Sequence, residues 1–384
     1  MRARSKRRLR WCAAVVIAAL APAAGLAPAR AASVRPAPTV VARTGRFGFS
    51  QGSALLWESD SALAADLDGM AALGASWVAV DVDWPSIQAD GPSSWNWGPT
   101  DRVVFAARAR NIGVLALAVY TPSWARPAGT TDKHPPTDAA DYARFVAAGA
   151  ARYAPLGVHT WQIWNEPNVV DFWEGGPDPA RYAGLAKVGA DAIHAADPSA
   201  VVLSGGLAPA TTVPGRSIDP NSFLFGLYRS GIRGHIDAVA MHPYSFPYAP
   251  TTPATWNPFY MLAYTHLIMA YFGDGALPIW ATEAGFGTGR DASSVSEATQ
   301  AVRVGQLVAA WRSLPYAGAL LVYGYRDLGS ASPSVFDHMG VVRADRSAKP
   351  ALTAFRRAIA GANALAVNRF APRVVTSTAV RSAH

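Results

Sequence analysis

The stretch HTWQIWNEPN, residues 159–168, sets a strand-like apolar run against an abrupt polar stop. Thr160, Trp161, Ile163 and Trp164 suit a buried, pleated strand. Pro167 ends it, because proline lacks a backbone donor and biases Glu166 before it toward an extended backbone. Simple alternation sets Gln162, Trp164 and Glu166 on one side and Asn165 on the other. Asn165 and Glu166 can therefore face one space only if the strand end kinks or bulges. A second string, LPIWATEAGFG at 277–287, runs the same way into Glu283. Alternation there puts Trp280 opposite to Glu283, facing a helix.

Working outward, these two strings fall among eight strand-like runs: Arg46 to Gly52, Trp77 to Asp83, Val114 to Tyr120, Thr160 to Asn165, Val201 to Gly205, Ile236 to Met241, Pro278 to Thr282 and Ala319 to Tyr323. Between them lie Ala-rich segments with apolar residues at helical spacing, among them SALAADLDGMAALGA (61–75), DAADYARFVAAGAARYA (138–154) and SEATQAVRVGQLVAAWRSL (296–314). Several open on Asp or Ser as caps and are followed by Gly or Pro. Alternating strand and helix predicts a parallel sheet, and eight repeats favour closure into a (β/α)8 TIM barrel forming a single catalytic domain over residues 45–362. The alternative is an open doubly wound sheet, which no Gly-rich phosphate loop after the first strand supports. A closed barrel carries its chemistry on the loops after the strands' carboxyl ends. Glu166 and Glu283 both lie there, closing the fourth and seventh strands.

The composition bounds the partners. Half of the chain, 51%, is hydrophobic and only 16% is charged, enough apolar material for one large core. Residues 1–31 have a basic start, an Ala/Val/Ile/Leu stretch and Ala29-Arg30-Ala31 at the end, the pattern of a cleaved signal peptide. The alternative, an uncleaved membrane anchor, is opposed by Pro22 and Pro28 and by a stretch short for a span. The expected location is therefore secreted, with no stable membrane insertion after cleavage. The formal charge of +8 is concentrated in that leader: Arg2, Arg4, Lys6, Arg7, Arg8, Arg10 and Arg30 belong to it, leaving about +1 without them. No electrostatic footprint for nucleic acid remains. Cys12, the one cysteine, also lies in the leader, so the exported domain relies on packing and not on disulfides. Residues 32–44 read as a flexible linker and 363–384 as a C-terminal tail.

Two carboxyl groups across a barrel mouth fit cleavage of a glycosidic bond, where one protonates the leaving oxygen and the other meets positive charge developing on the sugar carbon. The histidines lack the close pairing of a zinc site, and no Gly-x-Ser-x-Gly elbow is present. Neither metal nor cofactor is required.

With these strings in place, the chain resembles the clan A retaining glycoside hydrolases from about Gly48 to Phe355, and is most similar to glycoside hydrolase family 39 and related cellulase-like enzymes. The resemblance rests on YTPSWA (120–125), WNEPN (164–168), AVAMHPYS (238–245), WATEAGFGT (280–288), RDLG (326–329) and MGVVRADRSAKPA (339–351). It implies that Glu166 is the general acid/base and Glu283 the nucleophile, acting on a β-linked oligo- or polysaccharide. It further implies that Asn165 hydrogen-bonds the sugar 2-hydroxyl, that Tyr244 supports the nucleophile and that His242 lines the sugar site. Asn165 as a strand terminator and His242 as a structural histidine are the alternatives. Trp124, Trp173 and Tyr323 lie at or beyond strand ends and are the expected sugar-stacking platforms. The working unit is expected to be a monomer.

The chain also departs from the pattern. Relatives carry an arginine near the nucleophile in a string like WVRVDVDW, where this chain has WVAVDVDW and Ala79. Without that cation the Glu283 pKa should rise unless another group compensates. Arg326 is the candidate substitute, a pair with Asp327 being its structural alternative. Val322 and Tyr323 stand where relatives have Trp then Tyr, and Gln162 where Glu is frequent. These departures keep open a second class of function: a secreted carbohydrate-binding protein on a catalytically impaired barrel. Family 39 β-xylosidases also append a β-sandwich, for which the segment after Gly361 is too short.

Overall fold

Residues 46–329 and 331–369 are described in a computed structural model of the protein. The expected signal peptide, the linker and residues 370–384 lie outside the described residues. The strands are β1 (Phe47–Ser50), β2 (Trp77–Asp83), β3 (Gly113–Val119), β4 (Thr160–Ile163), β5 (Val201–Leu203), β6 (Val239–Met241), β7 (Ile279–Ala284) and β8 (Ala317–Tyr323). Helices α1 (Ala54–Trp57), α2 (Asp60–Ala72), α3 (Trp84–Ile87), α4 (Gly98–Arg108), α5 (Ala139–Tyr153), α6 (Pro179–Ala196), α7 (Pro220–Arg229), α8 (Leu262–Tyr271), α9 (Glu297–Ser313) and α10 (Pro350–Arg369) alternate with them. Acidic and hydroxyl caps start the long helices as the sequence predicts: Asp138, Asp178 and Ser296 each accept from first-turn N–H groups of α5, α6 and α9.

All strands run parallel in the order β5-β4-β3-β2-β1-β8-β7-β6, and β1 pairs with β8. A parallel bridge between Leu203 and Ala238 joins β5 to β6 and closes the (β/α)8 barrel. Alternation along β2 shows how the layers divide. Val78, Val80 and Val82 enter the shell between strands and helices, whereas Ala79 joins Leu115, Leu117, Leu203, Ala240 and Leu321 inside the barrel.

Trp280 also fills the interior, edge-on to Trp77 at 5.2 Å, which corrects the expectation that it faces a helix. A Cβ on Gly318 would lie 2.3 Å from its ring, so this glycine makes the room. Simple alternation does not hold along β7 because the strand is irregular: Ala281 pairs with Leu320 but Ala284 with Val322, so three steps on β7 match two on β8. Trp280 and Glu283 thereby share the inner side despite their odd separation. Trp311 packs from α9, its indole N–H donating to the Gly318 carbonyl at 3.1 Å. No helix among the described residues is long and apolar enough to cross a membrane.

Candidate active site

The regular part of β4 stops at Ile163, two residues short of the expected end, because Trp164 turns left-handed at φ 67°. That turn buries the Trp164 ring in the outer shell, its N–H held by the Phe172 carbonyl at 2.7 Å. It also swings both Asn165 and Glu166 toward the barrel mouth, the kink that alternation demanded. Glu166 is itself left-handed at φ 46°, not extended as Pro167 suggested. Its N–H donates to the Gly206 carbonyl at 3.0 Å, and this tertiary bond overrides the local pre-proline bias. Asn168, the last residue of the string, is structural: its amide donates to the Ala208 and Ile218 carbonyls at 2.9 and 3.0 Å and accepts from Ala208 N–H.

Across the mouth, the β7 irregularity aims Glu283 inward, and the Tyr244 hydroxyl donates to its Oε2 at 2.9 Å. Between the two glutamates lies His242, fully buried at the end of β6. Its Nδ1 is 2.7 Å from Glu166 Oε1 and 3.6 Å from Glu283 Oε2, while Nε2 meets Thr282 Oγ1 at 3.1 Å. Room for the imidazole comes from Gly206, where a Cβ would sit 2.1 Å from Nε2. The three ligand-type atoms of Glu166, His242 and Glu283 lie within 4.8 Å of one another. A cation would have to displace the bond His242 already makes to Glu166.

Burial pushes the Glu283 carboxyl above the usual carboxylate range, and nearby Glu166 adds to it; His242 and the Tyr244 hydrogen bond act against the rise. Burial also disfavours a charged His242, yet the carboxylates of Glu283 and Glu166 outweigh it and raise the imidazole's pKa. Ala79, meanwhile, packs in the apolar cluster inside the barrel. Arg326 does not replace the missing guanidinium and does not pair with Asp327 either. It pairs with Asp66 at 2.8 Å and with Glu58, on the α1–α2 side of the barrel. Asp327 is instead held by Lys349 at 2.8 Å. The titratable base that reaches both glutamates is thus His242, which lies behind the carboxylates and not on the cleft surface.

A cleft of about 540 Å³ opens over this trio. Asn165, Tyr244 and Tyr323 line it as expected, and Asn165 Oδ1 is buried without a hydrogen-bond partner among the described residues. Two expected platforms are absent. Trp173 is wholly buried, edge-on to Trp164 and Tyr182 at 5.4 and 5.6 Å, so it supports the β4–α6 loop from beneath. Trp124 turns back over Trp84 at 5.7 Å and donates its N–H to the Gln88 carbonyl at 2.7 Å, outside the cleft lining. Tyr120, left-handed at φ 66°, takes the position at the end of β3, with Lys133 Nζ 3.3 Å above its ring. Asp81, Lys133, Asp171 and Phe336 also line the cleft and were not singled out from the sequence. Asp81 had one available signal, being a carboxylate on the inward parity of β2, two residues after Ala79.

With this geometry in hand, comparison with solved structures places the fold among glycoside hydrolase barrels. A family 39 glycoside hydrolase from Bacteroides cellulosilyticus matches with a TM-score of 0.65 at 19% identity, covering 82% of this chain and 63% of that one. A family 39 β-xylosidase from Caulobacter crescentus matches at 0.63 and 24% identity, covering 84% and 72%. The GH5_18 enzyme of Streptomyces cattleya, solved with GlcNAc, matches at 0.64 and 19% identity, covering 82% and 80%. The chain spans less than two thirds of the length of the first of these. No family profile and no curated protein sequence matches it.

Proposed function

We propose that the protein is a secreted, monomeric retaining glycoside hydrolase that cleaves O-glycosidic bonds in a β-linked oligo- or polysaccharide through a covalent glycosyl-enzyme. The observation that carries this reading is the spacing of Glu166 and Glu283, whose oxygens approach within 4.8 Å. Retaining pairs stand about 5–5.5 Å apart and inverting pairs about 6.5–9.5 Å, because only the latter need room for a water. Glu283 attacks the anomeric carbon while Glu166 gives its proton to the leaving oxygen. Glu166 then takes a proton from the water that releases the sugar from Glu283. In this reading Asn165, which lines the cleft with its Oδ1 unpartnered, accepts from the sugar 2-hydroxyl.

The test is a pair of substitutions assayed on activated aryl glycosides. Glu283→Gln is expected to lower kcat by about 10³-fold or more, as loss of a nucleophile does. Glu166→Ala is expected to recover turnover with azide, giving a glycosyl azide of retained configuration. Near wild-type hydrolysis by Glu283→Gln contradicts the assignment. One observation favours the second reading, a carbohydrate-binding protein on an impaired barrel: Ala79 removes a cation from beside a nucleophile whose pKa burial already raises. Sugar binding in calorimetry with no turnover of any aryl glycoside would select it.

A further inference from the structure

The buried aspartates of this protein are paired, with one exception. Asp66 is held by Arg326 and Arg346 at 2.8 and 2.9 Å, Asp197 by His159 and Ser199 at 2.7 and 2.6 Å, and Asp327 by Lys349 at 2.8 Å. Asp81, only 8% exposed, accepts no side-chain hydrogen bond and makes no ion pair among the described residues. Its backbone is fixed in the middle of the sheet, in register with Leu117 of β3. Its carboxyl therefore has one direction to face, the cleft that it lines with Glu283, Tyr120 and Tyr323. The nearest amine, Lys133, is taken up by Asp132 at 2.9 Å and by the Tyr120 ring.

A carboxyl that is held on a rigid strand, unpaired by the protein and open to the cleft, is free to take a ligand's hydroxyl. We infer that Asp81 is a specificity-determining residue that takes a hydroxyl of the sugar ring bound over Glu283, and that the cleft accepts an uncharged glycone in preference to a uronate. The inference rests on the glycosidase reading for its assay. Charge supports it: Asp81, Glu166, Asp171 and Glu283 line the cleft beside one ammonium, Lys133, which Asp132 already engages, while His242 lies behind the two glutamates. A sugar carboxylate would enter a field of its own sign. Burial, with Asp83 and Glu283 nearby, also pushes the Asp81 carboxyl up to about 7. Near neutrality it can accept from a hydroxyl or donate to one.

The experiment is a cycle between enzyme and substrate. From a panel of neutral nitrophenyl glycosides, the one that the wild type hydrolyses fastest is compared with its monodeoxy analogues and its glycuronide, using wild type, Asp81→Ala and the isosteric Asp81→Asn, all checked for folding by thermal melts. Asp81→Ala should lower kcat/KM for the parent by about 10- to 100-fold, the range for a hydrogen bond to a charged group. One deoxy analogue should cost the wild type a similar factor and cost Asp81→Ala nothing more. The glycuronide should be at least about 10-fold slower than the neutral parent with the wild type. Losses that multiply for every analogue, unchanged parent kinetics in both variants, or preferred glycuronide turnover would each overturn the inference. If the wild type hydrolyses no glycoside, it is the glycosidase reading that fails. Calorimetric binding of the parent sugar and its deoxy analogues to the same proteins then decides on Asp81, with the same coupling expected and independent losses overturning it.

Discussion

Among the described residues Glu283 has one basic side chain within reach, the buried imidazole of His242, and that dependence yields a pH prediction. Burial raises the Glu283 pKa while His242 works against the rise. A nucleophile must be ionised, so activity is lost on the acid side as Glu283 takes up a proton. Replacing His242 by Asn removes the cation, lets the Glu283 pKa climb further and should move the acid limb of kcat/KM to higher pH. A pH–rate profile checks this, and an unmoved or lowered limb contradicts the role given to His242. Glu166 and Glu283 were legible as a pair because each closes an apolar run with a polar stop. His242 and Tyr244 were legible only through the HPY string, and the distances that make His242 a bridge between two carboxylates arise from strands far apart in sequence. Ala79 lies in the apolar interior, and the substitute cation expected for it does not come: Arg326, near in motif, is drawn away by Asp66 and Glu58 on other elements.

At the scale of the element, strand cores were read well and strand ends poorly. β2 runs over the expected residues Trp77–Asp83, since its alternation is uninterrupted. The functional ends of β4 and β7 break alternation, through a left-handed Trp164 and an irregular register at Ala281–Ala284. Local propensity cannot report either, because each is held by contacts from neighbouring strands. The aromatic residues show the same limit. Trp173 follows a strand end, as a platform would, yet the loop folds it inward against Trp164 and Tyr182. Trp173→Ala should therefore cost about 3–5 kcal/mol in denaturant unfolding, as a large core deletion does. Tyr323→Ala, at the cleft wall, should instead raise KM with a stability change of about 1 kcal/mol. Equal stability losses, or a Trp173→Ala effect confined to KM, would contradict this division.

At the scale of the molecule, eight strand-helix repeats were enough to specify a closed parallel barrel, since few other architectures cover both faces of such a sheet. Less legible was the last seam of the barrel. It closes at β5 and β6 through the Leu203–Ala238 bridge, and next to it Ser204 and Gly205 interrupt the ladder before Gly206 bridges Asn165. The Gly206 carbonyl fixes Glu166, and its missing Cβ admits His242, so the site is assembled where the barrel closes. Both carboxyl groups thereby reach a separation suited to double displacement. The most direct test is to incubate the protein with 2,4-dinitrophenyl 2-deoxy-2-fluoro glycosides of xylose, glucose, mannose and galactose, and to locate any covalent label by mass spectrometry. One fluoroglycosyl group per chain is expected, on the peptide that contains Glu283. A label on another residue, or hydrolysis of the parent glycoside with inverted configuration and no label, would contradict it.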